Sequence, residues 1–354
     1  MSEVSAASAA FQSARRFTPG RAAAVYSLLV VILGAVASAS VLIGSSDVGP
    51  SDLWALAMGR ATPQAEVILT GVRLPRVLLA VAVGAALAAA GAALQSILRN
   101  PLADPYILGV SGGAGLGAIL WSSLGAGSVV ATAAVRPFSA FTGSLLAVLM
   151  LLVLARLRGR RSPETMLLMG SVINATCIAL ILFVISIADI SRYQGVMYWL
   201  VGNLSAPPPS VLGVVGAAVA AGILLLTIFG GQLNLLSVGE ETAEQLGASV
   251  GRVRLVTIVA ACLVTAAAVS VSGLIGFVGL MVPHMARIWF GPDNRILIPA
   301  SALLGGAILT VADTAARTIV APTQLPVGVI TALAGGPFFL WLFARRDPSA
   351  GGWR

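Results

Sequence analysis

The feature that most limits the possible folds of this chain is a series of long apolar runs separated by short polar segments. The runs lie at about 22–43, 74–97, 106–124, 130–155, 164–188, 209–231, 254–273, 275–290, 296–315 and 326–344. Most approach the roughly 20 residues that an α-helix needs to cross a bilayer. Most also lack the polar face of a soluble amphipathic helix. The sequence therefore predicts an all-α integral membrane protein with about ten transmembrane helices.

Composition agrees with a membrane location. Of the 354 residues, 58% are hydrophobic and 10% are charged, whereas soluble proteins carry about 25% charged residues. The net charge of +8 is carried by arginine, because the chain contains no lysine. The arginines cluster at the ends of the apolar runs, as the positive-inside rule describes, so they indicate topology and contact with membrane lipid rather than nucleic-acid binding.

The arginine distribution predicts that both termini are cytoplasmic. With ten spans, fifteen arginines fall on the cytoplasmic side, where the tract Arg156–Arg161 is the strongest anchor. The six on the outer side are Arg60, Arg73, Arg76, Arg136, Arg192 and Arg317. We predict a cytoplasmic tail over 1–21, a membrane domain over 22–346 and a second tail over 347–354. A cleaved signal peptide is the alternative for the first run, but the length of that run favours an uncleaved helix.

Few side chains are of the types that bind metals, form disulfides or catalyse reactions. His284 is the only histidine, and Cys177 and Cys262 lie within apolar runs, so we predict no metal site and no disulfide. With no Walker-type phosphate loop and no nucleophile–base pair, we predict no catalytic residue and no enzymatic activity. Ion-coupled transporters usually carry carboxylates within their spans. Asp313 is the deepest here, and Arg317 is spaced to pair with it, so the energy for transport is expected to come from a partner.

The local structure of three further segments can be predicted from their sequences. Small residues recur on one face of the second run (Gly84, Ala88, Gly91) and in the third (Gly113, Gly117), which predicts close helix packing rather than a dinucleotide-binding loop. The polar stretch 234–254 predicts a short helix outside the membrane over Glu240–Gly247, because acidic residues suit a first helical turn and glycine suits the position after the last.

Several motifs together resemble the permease subunits of bacterial iron-siderophore, haem and vitamin B12 ABC importers. These are RLPR (73–76), NPLADP (100–105), GVSGGAG (109–115), GEETAEQLG (239–247), GLIGFVGLMVPHMAR (273–287), ADTAAR (312–317) and LPVGVITALAGGPFFLWL (325–342). The resemblance covers residues 22–346 in order. It implies the fold of the B12 permease, a type II ABC importer of ten helices per subunit.

The resemblance also implies partners. They are a second permease subunit in a homodimer or pseudo-dimer, a cytoplasmic ABC ATPase dimer that binds ATP and Mg²⁺, and a periplasmic or lipid-anchored substrate-binding protein. The chain itself is expected to hold no cofactor and to lie in the bacterial plasma (inner) membrane. Ferric siderophores are the expected cargo, with haem and cobalamin as alternatives. An ATP-independent secondary transporter or channel, and more weakly an intramembrane enzyme, are the hypotheses from other classes.

By resemblance, three sets of residues take roles. Docking of the binding protein falls to Arg73, Arg76 and Arg317. Coupling to the ATPase falls to Glu240, Glu241, Thr242, Ala243, Gln245, Leu246 and Gly247, within the loop at about 234–254. The cytoplasmic gate falls to Asn100 and Leu102, and less securely to Glu164 and Thr165. The pathway is expected to include Asn174, Thr176 and Ser186 of the fifth span.

Overall fold

The structure is a computed structural model that describes residues 17–44, 48–123, 129–157, 163–187, 194–205 and 207–344. The predicted tail over 347–354, residues 1–16 of the predicted tail over 1–21, and the basic tract beyond Leu157 lie outside the described residues.

All regular secondary structure of the described chain is helical, and the described residues contain no strand. Its α-helices are α1 Pro19–Leu42, α2 Pro50–Ala57, α3 Pro63–Glu66, α4 Leu74–Ile97, α5 Val110–Ser123, α6 Val129–Leu157, α7 Pro163–Ile187, α8 Gln194–Leu200, α9 Pro209–Ile228, α10 Gly230–Val238, α11 Glu240–Gln245, α12 Val250–Ser272, α13 Val278–Phe290, α14 Asn294–Thr318 and α15 Val327–Ala344. A π-helical segment, Val67–Arg73, joins α3 to α4, and a 3₁₀ turn, Pro105–Leu108, precedes α5.

Each of the ten predicted spans coincides with one helix, in the order α1, α4, α5, α6, α7, α9, α12, α13, α14 and α15. Seven helical stretches of the described chain are long and apolar enough to cross a membrane. The remaining three spans are shorter helices, of 14 residues in α5, 13 in α13 and 18 in α15. The all-α membrane fold is confirmed, and the helix count agrees with about ten spans.

Two spans are shorter than predicted because the backbone turns at their starts. The predicted span 106–124 begins as the 3₁₀ turn and becomes α-helical only after Gly109, whose φ of +89° lies in the left-handed region that favours glycine. The predicted span 275–290 becomes helical at Val278, after Phe277 with a φ of +69°.

The centre of the fold is α4, whose alanine-rich sequence is almost entirely buried. Its main partner is α14, and the two backbones meet at glycines. A Cβ on Gly84 would lie 2.2 Å from the carbonyl oxygen of Gly305. Further along α4, a Cβ on Gly91 would lie 1.9 Å from the carbonyl oxygen of Gly279 in α13. Only glycine allows this approach, so the packing role predicted for the small residues of this run is confirmed.

The glycines of α5 serve the same purpose. A Cβ on Gly113 would lie 2.4 Å from the carbonyl oxygen of Gly143 in α6, and one on Gly117 would lie 2.2 Å from that of Ser139. The glycine-rich segment is therefore a helix-packing surface, as predicted.

The outer layer contains helices that are buried on one side only. α1 lies along α14 and is fixed at both ends, since the Tyr26 hydroxyl donates to Arg295 O at 2.6 Å and Ser40 Oγ lies 2.6 Å from Thr314 Oγ1. α7 and α15 leave large apolar side chains uncovered within one chain, including Phe183, Leu333 and Leu340.

Candidate functional site

The most concentrated charge of the described chain lies where α4 begins and α14 ends. Asp313, which is 1% exposed, accepts from Arg76 Nε at 3.0 and 3.1 Å, from Arg76 Nη2 at 2.9 Å and from Arg317 Nε at 3.0 Å. Arg76 Nη1 also donates to Gln324 Oε1 at 2.7 Å, and Arg317 Nη2 donates to Ser40 Oγ at 3.0 Å. These five residues are called the Asp313 cluster below. The predicted pairing of Asp313 with Arg317 is confirmed.

Arg73 lies beside this cluster, at the last residue of the π-helical segment. Its guanidinium donates to the carbonyl oxygens of Val41, Leu42 and Val48 at 2.9 to 3.1 Å, so it holds the chain that follows α1. π-helical turns are frequent at functional sites. This one brings Arg73 and Arg76 to the same end of the bundle as Arg317.

The three arginines predicted to dock a binding protein are thus neighbours, but each is buried and bound within the chain. Arg73, Arg76 and Arg317 carry three positive charges against the single carboxylate of Asp313, so the region keeps an excess of positive charge. Such an excess suits the carboxylates of a partner. The docking role remains a prediction, and a partner would have to share these arginines with their internal ligands.

The segment predicted to couple to an ATPase lies at the opposite end of the bundle. It forms α10 and the short helix α11, separated by Gly239. α11 begins at Glu240 as predicted and ends at Gln245, and Gly247 follows with a φ of +84°. Ala243 is buried, whereas Glu241 and Leu246 are exposed, Leu246 by 64%. Together with Thr242 and Gln245, which make up the remainder of the predicted set, these residues present a small protruding surface.

This protruding helix is fixed to the bundle. The Glu240 carboxylate forms an ion pair with the guanidinium of Arg254, which is buried near the start of α12. On the other side, Ala248 N donates to Ala243 O at 2.9 Å and closes the turn after α11. These contacts attach α11 to the start of α12.

A second set of contacts connects α10 to α4 and α14. Asn234 Nδ2 donates to Asp293 Oδ1 at 2.7 Å, and Asn234 Oδ1 accepts from the backbone N and from Nδ2 of Asn294, both at 2.9 Å. Asn294 Oδ1 in turn accepts from Ser96 Oγ of α4 at 2.6 Å. We call these four residues the Asn234 cluster. Burial alone would raise the pKa of Asp293, but hydrogen bonds from Arg295 and Asn234 hold that pKa below its usual value.

The turn predicted to form the cytoplasmic gate follows α4 at this same end. Arg99 has a φ of +47°, unusual for a residue with a side chain, and its guanidinium donates to Leu236 O of α10. Asn100 Oδ1 accepts from Leu102 N at 2.9 Å and tightens the turn. Asp104 is buried and caps the 3₁₀ turn by accepting from Tyr106 N at 2.8 Å. Burial raises the pKa of the Asp104 carboxyl to about 6, against the lowering effect of that hydrogen bond.

The less secure gate residues, Glu164 and Thr165, lie in the first turn of α7. α7 reaches the exit turn a little further along, where a Cβ on Gly170 would lie 2.4 Å from Ile107 O. Of the predicted pathway residues, Asn174 Oδ1 accepts from Ser111 Oγ of α5 at 3.1 Å. Thr176 and Ser186 are exposed and bond only to carbonyls of their own helix among the described residues.

Several residues of these clusters were not expected from the sequence. Gln324, Asn294 and Arg99 carry none of the resemblance-based roles, and Asn234 was expected only as the first residue of the coupling loop. Each completes a hydrogen bond between segments far apart in the chain. The available signal was their position, since each is a polar residue at the end of an apolar run, where a polar group must find a partner or water. Among the described residues, no group of three or more His, Cys, Asp or Glu side chains could hold a metal ion.

Comparison with known proteins agrees with this architecture. The FecCD transport family matches residues 29–345. This chain belongs to the FecCD transport family. It is 42% identical over 286 residues to the cobalamin import system permease BtuC of Halobacterium salinarum, covering 81% of this chain and 76% of that one. It is 38% identical over 326 residues to the hemin transport system permease HmuU of Yersinia pestis, covering 92% and 96%.

A solved structure is also similar. It shows an inward-facing conformation of a metal-chelate type ABC transporter, with a TM-score of 0.78 and 28% identity over 92% of this chain and 100% of that one. The FecCD chain is therefore a membrane-spanning ABC importer permease, a transport subunit rather than an enzyme, and its family implies an ATPase and a binding protein. The importers of this family carry iron chelates, haem or vitamin B12.

Proposed function

We propose that this permease imports a metal chelate across the bacterial plasma membrane, with both termini in the cytoplasm, and that it works by coupling its two polar ends through the α4–α14 pair. The observation that carries the proposal is this pair of helices. It joins the Asn234 cluster, next to the exposed helix α11, to the Asp313 cluster at the other end. Its backbones touch at Gly84 and Gly305, so there is little room for one helix to move without the other.

The first cargo to test is a ferric siderophore. Similarity to a metal-chelate type transporter supports the general class. Haem and cobalamin are the alternatives, because relatives at 38% and 42% identity are named as hemin and cobalamin permeases. In such systems the binding protein does most of the selecting. Titrating it with a ferric siderophore, haem and cobalamin decides among them, and tight binding of haem or cobalamin alone would contradict the siderophore proposal.

We expect the working assembly to be a homodimer of this permease. The uncovered apolar side chains of α7 and α15 support this, because a second copy and the transport pathway would cover such faces. Two cytoplasmic ATPase subunits, binding ATP and Mg²⁺, and a periplasmic or lipid-anchored binding protein complete it. Ion-coupled transport is less favoured, because both carboxylate oxygens of Asp313 are already bound by arginines.

The coupling role of α11 is tested on its exposed side chains. Glu241→Arg combined with Leu246→Asp should abolish association with the ATPase, because it reverses one charge and removes the most prominent apolar contact. The matched control makes the same changes at the other end, with Glu66→Arg and Leu53→Asp, and should leave association intact. Association measured by co-purification that survives the α11 changes would show that the assignment is wrong.

A test of the docking role needs substitutions that do not place a second carboxylate in the Asp313 cluster. Replacing Arg76 by glutamate would place a carboxylate against Asp313 and destabilise the fold, so glutamine is the better replacement. Arg73→Gln, Arg76→Gln and Arg317→Gln should each weaken binding of the binding protein most strongly at low salt, because salt screens such charges. Arg60→Gln is the exposed control. Affinities equal to wild type at low salt would contradict the docking role.

A further inference from the structure

A groove with a basic end lies between three helices at the end of the bundle that carries α11. It runs along α6 from Leu149 to Arg156 and is bounded by Met166 of α7 and by Arg254 and Ile258 of α12. Its volume is about 230 Å³. We call it the basic groove.

The groove is basic at one end and apolar along the rest of its length. Its two arginines, Arg156 and Arg254, lie where α6 ends and α12 begins, and the wall from Leu149 onward is apolar. At 1.5 Å per residue, the distance along α6 from Leu149 to Arg156 is roughly 10 Å. Leu149 is 54% exposed and Val153 is 49% exposed, so the apolar part opens outward.

The charge at the basic end is only partly neutralised. Arg254 forms an ion pair with Glu240, whereas the four ion pairs between described residues do not include Arg156. Met166 and Arg254, which both line the groove, lie within the first two turns of α7 and α12, and helix N-termini favour anions. Glu164 in the first turn of α7 offsets part of this effect. The positive charges at this end outweigh the negative ones, so the groove favours a negatively charged group beside Arg156.

We propose that the basic groove binds an anionic phospholipid, with the phosphate at Arg156 and Arg254 and one acyl chain along the wall from Val153 to Leu149. Basic pockets between transmembrane helices suit anionic headgroups, whereas a neutral lipid gains nothing from the arginines. A second copy of this chain is the competing occupant, and the cross-linking variant below tests it. This inference does not depend on the cargo, and it shares Arg254 with the ion pair that holds α11.

The test measures lipid retained by the purified full-length permease, using native mass spectrometry with phosphatidylglycerol and phosphatidylcholine. We expect wild type to prefer phosphatidylglycerol, and Arg156→Gln to weaken that binding about fivefold. Arg156→Lys should restore most of it. The matched control is Arg252→Gln, an exposed arginine of α12 outside the groove, which should bind as wild type does. Equal retention of the two lipids, or equal effects of Arg156→Gln and Arg252→Gln, would overturn the proposal.

Two further variants separate the lipid from other occupants. Val153→Trp fills the apolar part while both arginines remain, so it should reduce phosphatidylglycerol binding, whereas a bound inorganic phosphate would be unaffected. If Val153→Trp leaves phosphatidylglycerol retention unchanged, the groove does not seat the acyl chain and the proposal fails. Val153→Cys should not cross-link with bismaleimide between permease copies, and efficient cross-linking would show that a second copy covers the groove.

Discussion

Replacing Asp313 by asparagine should destabilise the permease more than removing either of its arginine partners. The carboxylate is buried and accepts four contacts, three from Arg76 and one from Arg317. In Asp313→Asn, two guanidinium groups remain buried without a counter-charge. Breaking a buried ion pair from one side destabilises by about 3–5 kcal/mol. Arg317→Gln leaves the Arg76–Asp313 pair intact, so its effect should be smaller.

The two effects should not be additive. Asp313→Asn raises the net charge of the cluster, and Arg317→Gln lowers it, so the double variant has the net charge of wild type. We expect its destabilisation to fall short of the sum of the single variants by about 0.5–3 kcal/mol, the range found for residues that share a network. An exposed carboxylate at the same end, Glu66, provides the matched control, and Glu66→Gln should change stability by less than about 0.5 kcal/mol.

The assay is thermal unfolding in detergent at one fixed scan rate, because membrane proteins often unfold irreversibly and the apparent Tm then depends on rate. At roughly 2 °C per kcal/mol for a chain of this size, Asp313→Asn should lower the apparent Tm by about 6–10 °C. Two results would refute the reasoning. One is an Asp313→Asn variant as stable as Glu66→Gln, and the other is strict additivity of Asp313→Asn with Arg317→Gln.

Three further predictions concern packing, protonation and coupling. Gly91→Ala should destabilise the protein by about 1–3 kcal/mol because its Cβ would strike Gly279 O, whereas Gly213→Ala, with no atom within 4 Å, should be neutral in the same melting assay. Asp104→Asn keeps the capping oxygen but cannot ionise. The pKa of Asp104 is raised in the folded protein from 3.8 to about 6. The free energy of unfolding of wild type should therefore fall by roughly 3 kcal/mol as pH rises from about 4 to above 6. The stability of the variant should not fall in this way, and parallel stability–pH profiles of the two proteins would contradict the burial argument. Asn234→Ala removes three hydrogen bonds, so ATPase activity in the reconstituted complex should continue while transport per ATP falls, and an unchanged ratio would exclude the linkage.

The sequence was sufficient to predict the helices, and the reason is local. Each span is a long apolar run, and within lipid the backbone of such a run must satisfy its own hydrogen bonds, which a helix does. Close packing at Gly84 and Gly113 was also predictable, because small residues on one face of a transmembrane helix allow a neighbouring helix to approach closely. The same holds for Asp313 and Arg317, which are four residues apart on one helix.

Contacts between distant segments were not predictable from the sequence alone. Arg76 reaches Asp313 across 237 residues and Gln324 across 248. Nothing local to Arg76 indicates those partners, since the register of α4 against α14 decides them. Arg73 and Arg76 were therefore predicted to be outward-facing docking groups, and their internal ligands were missed. The π-helical segment before α4, which ends at Arg73, was also missed.

The glycine contacts between α4 and α14 explain how a bundle of helices can transmit a displacement. Where side chains separate two helices, rotamer changes absorb a shift of an ångström or so, and the far end of the pair need not respond. At Gly84 and Gly305 the backbones themselves touch, and backbone has no rotamers to change. Under the coupling proposal, a movement of α10 would pass through Asn234 to Asn294, the first residue of α14, and through Ser96 to α4. Both helices would then carry it to the opposite end, where Asp313 joins them again through Arg76. A rigid connection of this kind needs polar clusters that fix both ends of the helix pair and glycines that let the two helices touch between them. Gly84→Ala should therefore weaken the contact between α4 and α14 before it unfolds the protein.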